Sequence, residues 1–210
     1  MSLEPQTPNE LKPSRPRLPI VGMIGPTNIV RVSEAGGIDP ALYKHYANEA
    51  GRLIAKLDAI IALVPDRGVA LHALQGYQAA QGSWSLALAP DGGPSEDVAT
   101  SNCEQNSAAC DETLGGFTWH HQHANICELS DLLVCVGLSC GTMAEIVWTK
   151  WVRKPRILAV RSTMSVIPPE IIAETEIEFV DTLAELEEHM RDALAGARQA
   201  IQTGGNFEVS

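Results

Sequence analysis

The 210-residue chain is long enough for one ample α/β core, and its 45% hydrophobic and 20% charged residues exclude disordered and collagen-like classes. A net charge of −11 excludes broad nucleic-acid or anionic-membrane binding, because both demand a concentrated positive surface, whereas a small anionic ligand needs only a local site. No apolar run reaches the length of a membrane span and the first residues lack a signal-like apolar stretch, so a cytoplasmic protein is expected.

Residues 1–17 carry Pro5, Pro8, Pro13 and Pro16 with little apolar content, the pattern of a flexible arm. The fold is expected over 18–201, with 202–210 as a tail. "LPIVGMIGP" reads as a buried strand ending at Gly25-Pro26, and "DPALYKHYANEAGRLIAKL" as a helix capped by Asp39 before Pro40. "DAIIALVPD" is a second strand, "GVALHALQGYQAAQG" a helix stopped by Gly82, and "SWSLALAP" a third strand. Strands separated by helices of this length imply right-handed crossovers and a parallel sheet covered on both faces. The predicted class is therefore α/β, a doubly wound, mainly parallel, Rossmann-like sheet.

Residues 91–118 interrupt the rhythm with small, polar and glycine-rich residues and read as one long loop. Beyond it come "TWHHQHANICELS" as a helix, "DLLVCVG" as a fourth strand, "GTMAEIVWTKWVRK" as a helix, "PRILAV" and "EIEFV" as strands, and "TLAELEEHMRDALAGARQAIQ" as a closing helix. The cysteines Cys103, Cys110, Cys127, Cys135 and Cys140 are odd in number and form no CxxC pair, so they read as reduced thiols.

Open parallel sheets bind ligands beyond the carboxyl ends of their strands, which directs attention to Gly25–Asn28, Val64–Gly68 and Gly137–Thr142. In "VGLSCGTMAE", Gly137 and Gly141 permit close backbone approach and the next helix presents free N–H groups, a place suited to phosphate or carboxylate. Thr142 adds a hydroxyl and Glu145 lies one turn on. The same four residues, "TMAE", also form a capping box in which Thr142 caps the helix and Glu145 reaches back to its amide, with no ligand required.

"VGLSCGTMAE" resembles the P-G-G-x-G-T-x-x-E signature of the LOG (Lonely Guy) and lysine decarboxylase-like Rossmann proteins. "VGMIGPTN", "RGVALHALQGYQAAQG" and "HANICELSDLLVCVG" resemble the family's other segments in the same order, covering residues 19 to 180. The resemblance implies a Rossmann-like domain, a homodimer or higher homo-oligomer, that binds a nucleoside 5′-monophosphate. In active members it also implies phosphoribohydrolase activity cleaving the N-glycosidic bond. Gly137, Leu138, Ser139, Cys140, Gly141 and Thr142 then correspond to the phosphate turn. Glu145 corresponds to the carboxylate beside the ribose.

Three departures accompany the match. The family's arginine falls on Gln122 with His123 beside it; two turn glycines are Leu138 and Ser139; and the glycine-rich second loop is Pro65-Asp66-Arg67. Gln122 donates hydrogen bonds but carries no charge, while His123 or Arg67 offers a substitute cation.

The candidate catalytic residues are thus Glu145, Gln122 and His123. The candidate ligand-binding residues are Gly25, Pro26, Thr27, Asn28, Arg67, Gly68 and the 137–142 turn. "WHHQH" (119–123) has no metal-ligand spacing, so neither a metal nor a resident cofactor is expected. Trp148 and Trp151 share a helix face and suit packing or a dimer interface. A non-catalytic carrier or sensor of a nucleotide or pterin-like cofactor is the alternative to the hydrolase.

Overall fold

A computed structural model describes residues 15–91, 99–152 and 155–203. Seven strands form one sheet in the order β4-β3-β2-β1-β5-β6-β7, and every pairing is parallel. The strands are β1 (Ile20–Ile24), β2 (Ile60–Leu63), β3 (Ser85–Leu88), β4 (Glu112–Leu114), β5 (Leu132–Cys135), β6 (Arg156–Val160) and β7 (Ile177–Val180). The helices are α1 (Ile29–Gly36), α2 (Pro40–Lys56), α3 (Val69–Ala79), α4 (Ala99–Ser107), α5 (Gln122–Leu129), α6 (Cys140–Trp148), α7 (Pro169–Glu174) and α8 (Leu183–Gln202).

Strand side chains alternate between two cores, as the period of two requires. Val21, Met23, Ile61, Leu63, Leu132, Val134, Leu158 and Val160 face α1, α2, α3 and α8. Ile24, Ile60, Ala62, Leu133, Cys135, Ile157 and Ala159 face α5, α6 and α7. Helices therefore cover both faces, as the buried, non-alternating strand sequences predict.

Register at the sheet centre is pinned by Asp131: its backbone N–H donates to Ile20 O at 2.8 Å and its Oδ2 accepts from Ile20 N at 2.9 Å. Asp39 caps α2 as expected, accepting from Ala41 N at 2.8 Å.

The 91–118 stretch departs from the single loop expected of it. Residues 92–98 lie outside the described part, but α4 and the short edge strand β4 occupy much of the rest. Neither shows in the sequence because α4 is mostly polar and β4 has only three residues, none fully buried. Side chains outside the strand anchor it: Asp111 Oδ2 accepts from Ser85 N at 2.8 Å, and Arg15 Nε donates to Glu112 at 2.9 Å.

Arg15 belongs to the expected arm, of which residues 1–14 lie outside the described part, as do residues 204–210 of the expected tail. Helices α1 and α7 were also unread, each being under nine residues.

Helices α2 and α3 approach closely through glycine. A Cβ on Gly51 would lie 2.0 Å from Ala73 O, and one on Gly76 would lie 1.9 Å from Asn48 O. Helix propensity alone predicts that Gly76→Ala stabilises the protein by about 1 kcal/mol. The rigid backbone contact predicts the opposite, a loss of about 3 kcal/mol from overpacking, read as a lower urea midpoint. An unchanged or raised midpoint would refute the close approach.

Candidate functional site

Strand order reverses at β1, whose neighbours β2 and β5 send their following helices away in opposite directions. The crevice left at their carboxyl ends is a cleft of about 290 Å³. Its walls come from β1 and its loop (Met23, Ile24, Gly25, Thr27), the β2–α3 connection (Val64, Asp66, Arg67, Ala70), the start of α5 (Trp119, Gln122, His123) and the start of α6 (Ser139, Gly141, Thr142, Glu145). A larger hollow of about 790 Å³ lies between Arg15, Trp84 and Glu112, at the amino ends of β3 and β4, where no helix N-terminus points inward.

Of the residues singled out from sequence, Gly25, Thr27, Arg67, Gln122, His123, Ser139, Gly141, Thr142 and Glu145 line this one cleft. Pro26, Asn28, Gly68, Gly137, Leu138 and Cys140 do not, and most have a scaffold role. Asn28 caps α1, its Oδ1 accepting from Arg31 N at 3.1 Å. Gly68 has φ +73 and sits under Pro26, whose carbonyl accepts from Val69 N at 3.1 Å. Gly137 has φ +84, and a Cβ there would meet the Tyr43 ring at 2.3 Å. Leu138 packs into the α5–α6 core, and Cys140 is exposed outside the cleft. Trp119 and Asp66 were not among the candidates; the lone acidic residue in "VPDRG" was the available signal.

Helix α6 begins three residues earlier than the capping-box reading requires. Ser139 is its cap, with Oγ accepting from Thr142 N at 3.2 Å and lying 2.9 Å from Thr142 Oγ1. Thr142 is thus inside the first turn, and Glu145 does not reach back to its amide. The left-handed Gly137 turns the chain so soon after β5 that the helix starts at Cys140. The amides of Cys140 and Gly141 precede the first intrahelical acceptor, so this end retains free donors and the positive end of the helix dipole.

Released from capping, Glu145 is 7% exposed and its Oε1 lies 3.1 Å from His123 Nδ1. Burial holds its carboxyl above the ordinary value of 4.5, against the opposing pull of the histidine contact. His120 and His121 are exposed, and His121 Nδ1 lies 3.1 Å from Thr118 Oγ1, so the histidines of "WHHQH" do not converge.

Gln122 is 3% exposed and its Oε1 has no hydrogen-bond partner. Asp66 is 6% exposed; its Oδ1 accepts from Arg67 N at 2.7 Å, and burial raises its pKa. The Arg67 side chain is 56% exposed at the rim, with Nε 3.7 Å from the same oxygen. The cleft can therefore hold an anion at the α6 terminus, while its deeper polar groups are buried carboxylates and an unpaired amide.

A raised folded-state pKa means that the native state binds the Glu145 proton more tightly than the unfolded chain. Ionisation then costs stability progressively as pH rises from about 4.5 through the folded value. Glu145→Gln, always neutral, is expected to raise Tm at pH 7 by roughly 2–4 °C, the response of a domain this size to about 1 kcal/mol. The difference fades towards pH 4. Equal melting temperatures across this range would contradict the buried, costly carboxylate.

No family model matches the sequence, and no curated protein matches it. Solved structures do match in fold. The molybdenum cofactor carrier protein of Chlamydomonas reinhardtii has a TM-score of 0.63 at 23% identity, covering 85% of this chain and 99% of that one. The molybdenum cofactor binding protein of Rippkaea orientalis has a TM-score of 0.62 at 18% identity, covering 83% and 96%. DNA processing protein A of Helicobacter pylori, described by its single-stranded DNA binding mode, has a TM-score of 0.60 at 12% identity, covering 84% and 81%. Likeness at these identities establishes architecture and leaves the ligand to the site itself. The chain has the Rossmann-like fold of the molybdenum cofactor carriers, as the resemblance to LOG-like proteins implied.

Proposed function

We propose that the protein binds a small phosphorylated ligand built on a planar heterocycle, a nucleoside monophosphate or a pterin-like cofactor, and acts as a carrier or sensor. The observation that carries this reading is Gln122, a buried amide whose Oε1 is unsatisfied, at the position that the resemblance gives to an arginine. An unpaired buried polar group costs about 1–3 kcal/mol and is retained where a ligand completes it. Being neutral, it supplies none of the charge stabilisation that an arginine would bring to a breaking glycosidic bond. The free end of α6, with the Thr142 hydroxyl, suits the phosphate.

The His123–Glu145 pair supports a second reading, the phosphoribohydrolase. A buried carboxyl with a raised pKa can donate a proton or steady an oxocarbenium-like centre. Exposed Trp148, at 43%, and Trp151, at 64%, support a homo-oligomer through that face, and free thiols support a reducing compartment such as the cytoplasm.

Thermal shift and base release, measured together on a panel of nucleoside monophosphates with ribose 5-phosphate, separate the readings. A carrier gains several degrees with a saturating ligand and releases no base. Base release that disappears in Glu145→Gln would establish the hydrolase instead, and no shift with any phosphate compound would sink both.

Gly141→Asp places a carboxylate where the phosphate belongs, and acidic groups near helix N-termini favour the helix. Binding is expected to fall at least about tenfold without loss of Tm. Undiminished binding in this variant would move the phosphate elsewhere.

A further inference from the structure

We infer that Asp66 selects the ligand, its carboxylate accepting from paired N–H groups on the amino-oxo-pyrimidine edge carried alike by guanine nucleotides and phosphorylated pterins. This rests on the proposed phosphorylated ligand and adds which heterocycle the cleft accepts.

Position comes first. Asp66 follows β2 and the α6 terminus follows β5, and these strands flank β1 on either side. Their ends are two inter-strand spacings apart, about 10 Å. A phosphate at Ser139, Gly141 and Thr142 therefore leaves the far end of a nucleotide-sized molecule beside Asp66.

Polarity sets the orientation. Asp66 and Glu145 are buried carboxylates on the cleft walls, and the Gln122 Oε1 beside them is unpaired, so this interior is rich in acceptors. The cation at Arg67 is half-exposed at the rim. A phosphate in the interior would meet negative charge, whereas a ring edge bearing N–H donors meets acceptors.

Spare capacity points the same way. Asp66 Oδ1 takes the Arg67 amide, and no bond to Oδ2 accompanies it, although burial penalises the charge it carries. A carboxylate offers two acceptor oxygens that match adjacent ring and exocyclic N–H groups. Trp119, partly buried on the same cleft, presents a flat surface on which such a ring stacks.

Adenine and hypoxanthine test the point sharply. Adenine lacks the N–H beside an exocyclic amino group, and hypoxanthine keeps the ring N–H but lacks the amino group. Wild-type protein titrated calorimetrically with GMP, IMP, AMP, neopterin phosphate and ribose 5-phosphate is expected to bind GMP or neopterin phosphate at least about tenfold tighter than IMP. The tighter of those two names the source of the edge. In Asp66→Asn the preference over IMP falls below about threefold, with a Tm no lower than wild type, because the substitution removes a buried charge and keeps the shape.

Equal binding of GMP, neopterin phosphate, IMP and AMP by the wild type overturns the inference and leaves the phosphorylated-ligand reading standing. This arm is decisive even if the variant does not fold. A preference that persists in folded Asp66→Asn also overturns it. Failure of every compound, ribose 5-phosphate included, removes the underlying reading and the inference with it.

Discussion

The pairing of β5 with β1 decides where this molecule has a cavity. Parallel strands cannot return by tight turns, so each is followed by a crossing helix, and the carboxyl ends of all seven strands lie on one side. Where neighbouring crossovers run the same way, the helices close over the sheet. At β1 they diverge, β2 leading to α3 and β5 to α6. The Asp131 side chain, holding Ile20 N at 2.9 Å, fixes the register at this seam. The cleft is the geometrical remainder of that reversal, lined by whatever follows β1, β2 and β5.

Glycine serves this arrangement mainly as scaffold. Gly25 lets the end of β1 pass between Val136 and Val69, where a Cβ would lie 2.5 Å from the Val136 carbonyl. Gly137 turns β5 against Tyr43 with φ +84. Gly51 and Gly76 bring α2 and α3 into backbone contact, holding α3 and the loop before it against the sheet. Motif glycines read as phosphate contacts thus include residues that place the wall without touching the cleft. The positive end of α6 and the small side chains of its first turn remain as the anion-friendly surface.

Much of the fold was legible because buried parallel strands are uninterrupted apolar runs and long helices show their period. Six strands and the helices corresponding to α2, α3 and α8 stand out on that basis. Strand β4 does not, being three residues held by Asp111 and Arg15 from outside itself. Nine of the residues marked from sequence line the cleft, because loops after β1, β2 and β5 must meet there. Asp66 escaped because its burial is a property of the packed loop, invisible in a polar "VPDRG".

Two nearly identical tetrads show where sequence stops. Thr182-Leu-Ala-Glu185 is a working cap: Thr182 Oγ1 accepts from Glu185 N at 3.1 Å and Glu185 Oε2 accepts from Asp181 N at 2.8 Å. Thr142-Met-Ala-Glu145 has the same pattern, yet Ser139 is the cap there and Glu145 turns to His123 in the cleft. The sequence by itself determined a doubly wound α/β chain and three loops that must converge. Only the tertiary structure decided that Glu145 is a buried group of the cleft, because the starting point of α6 depends on how Gly137 packs against Tyr43, more than ninety residues away in the chain. Local propensity cannot register a contact of that kind.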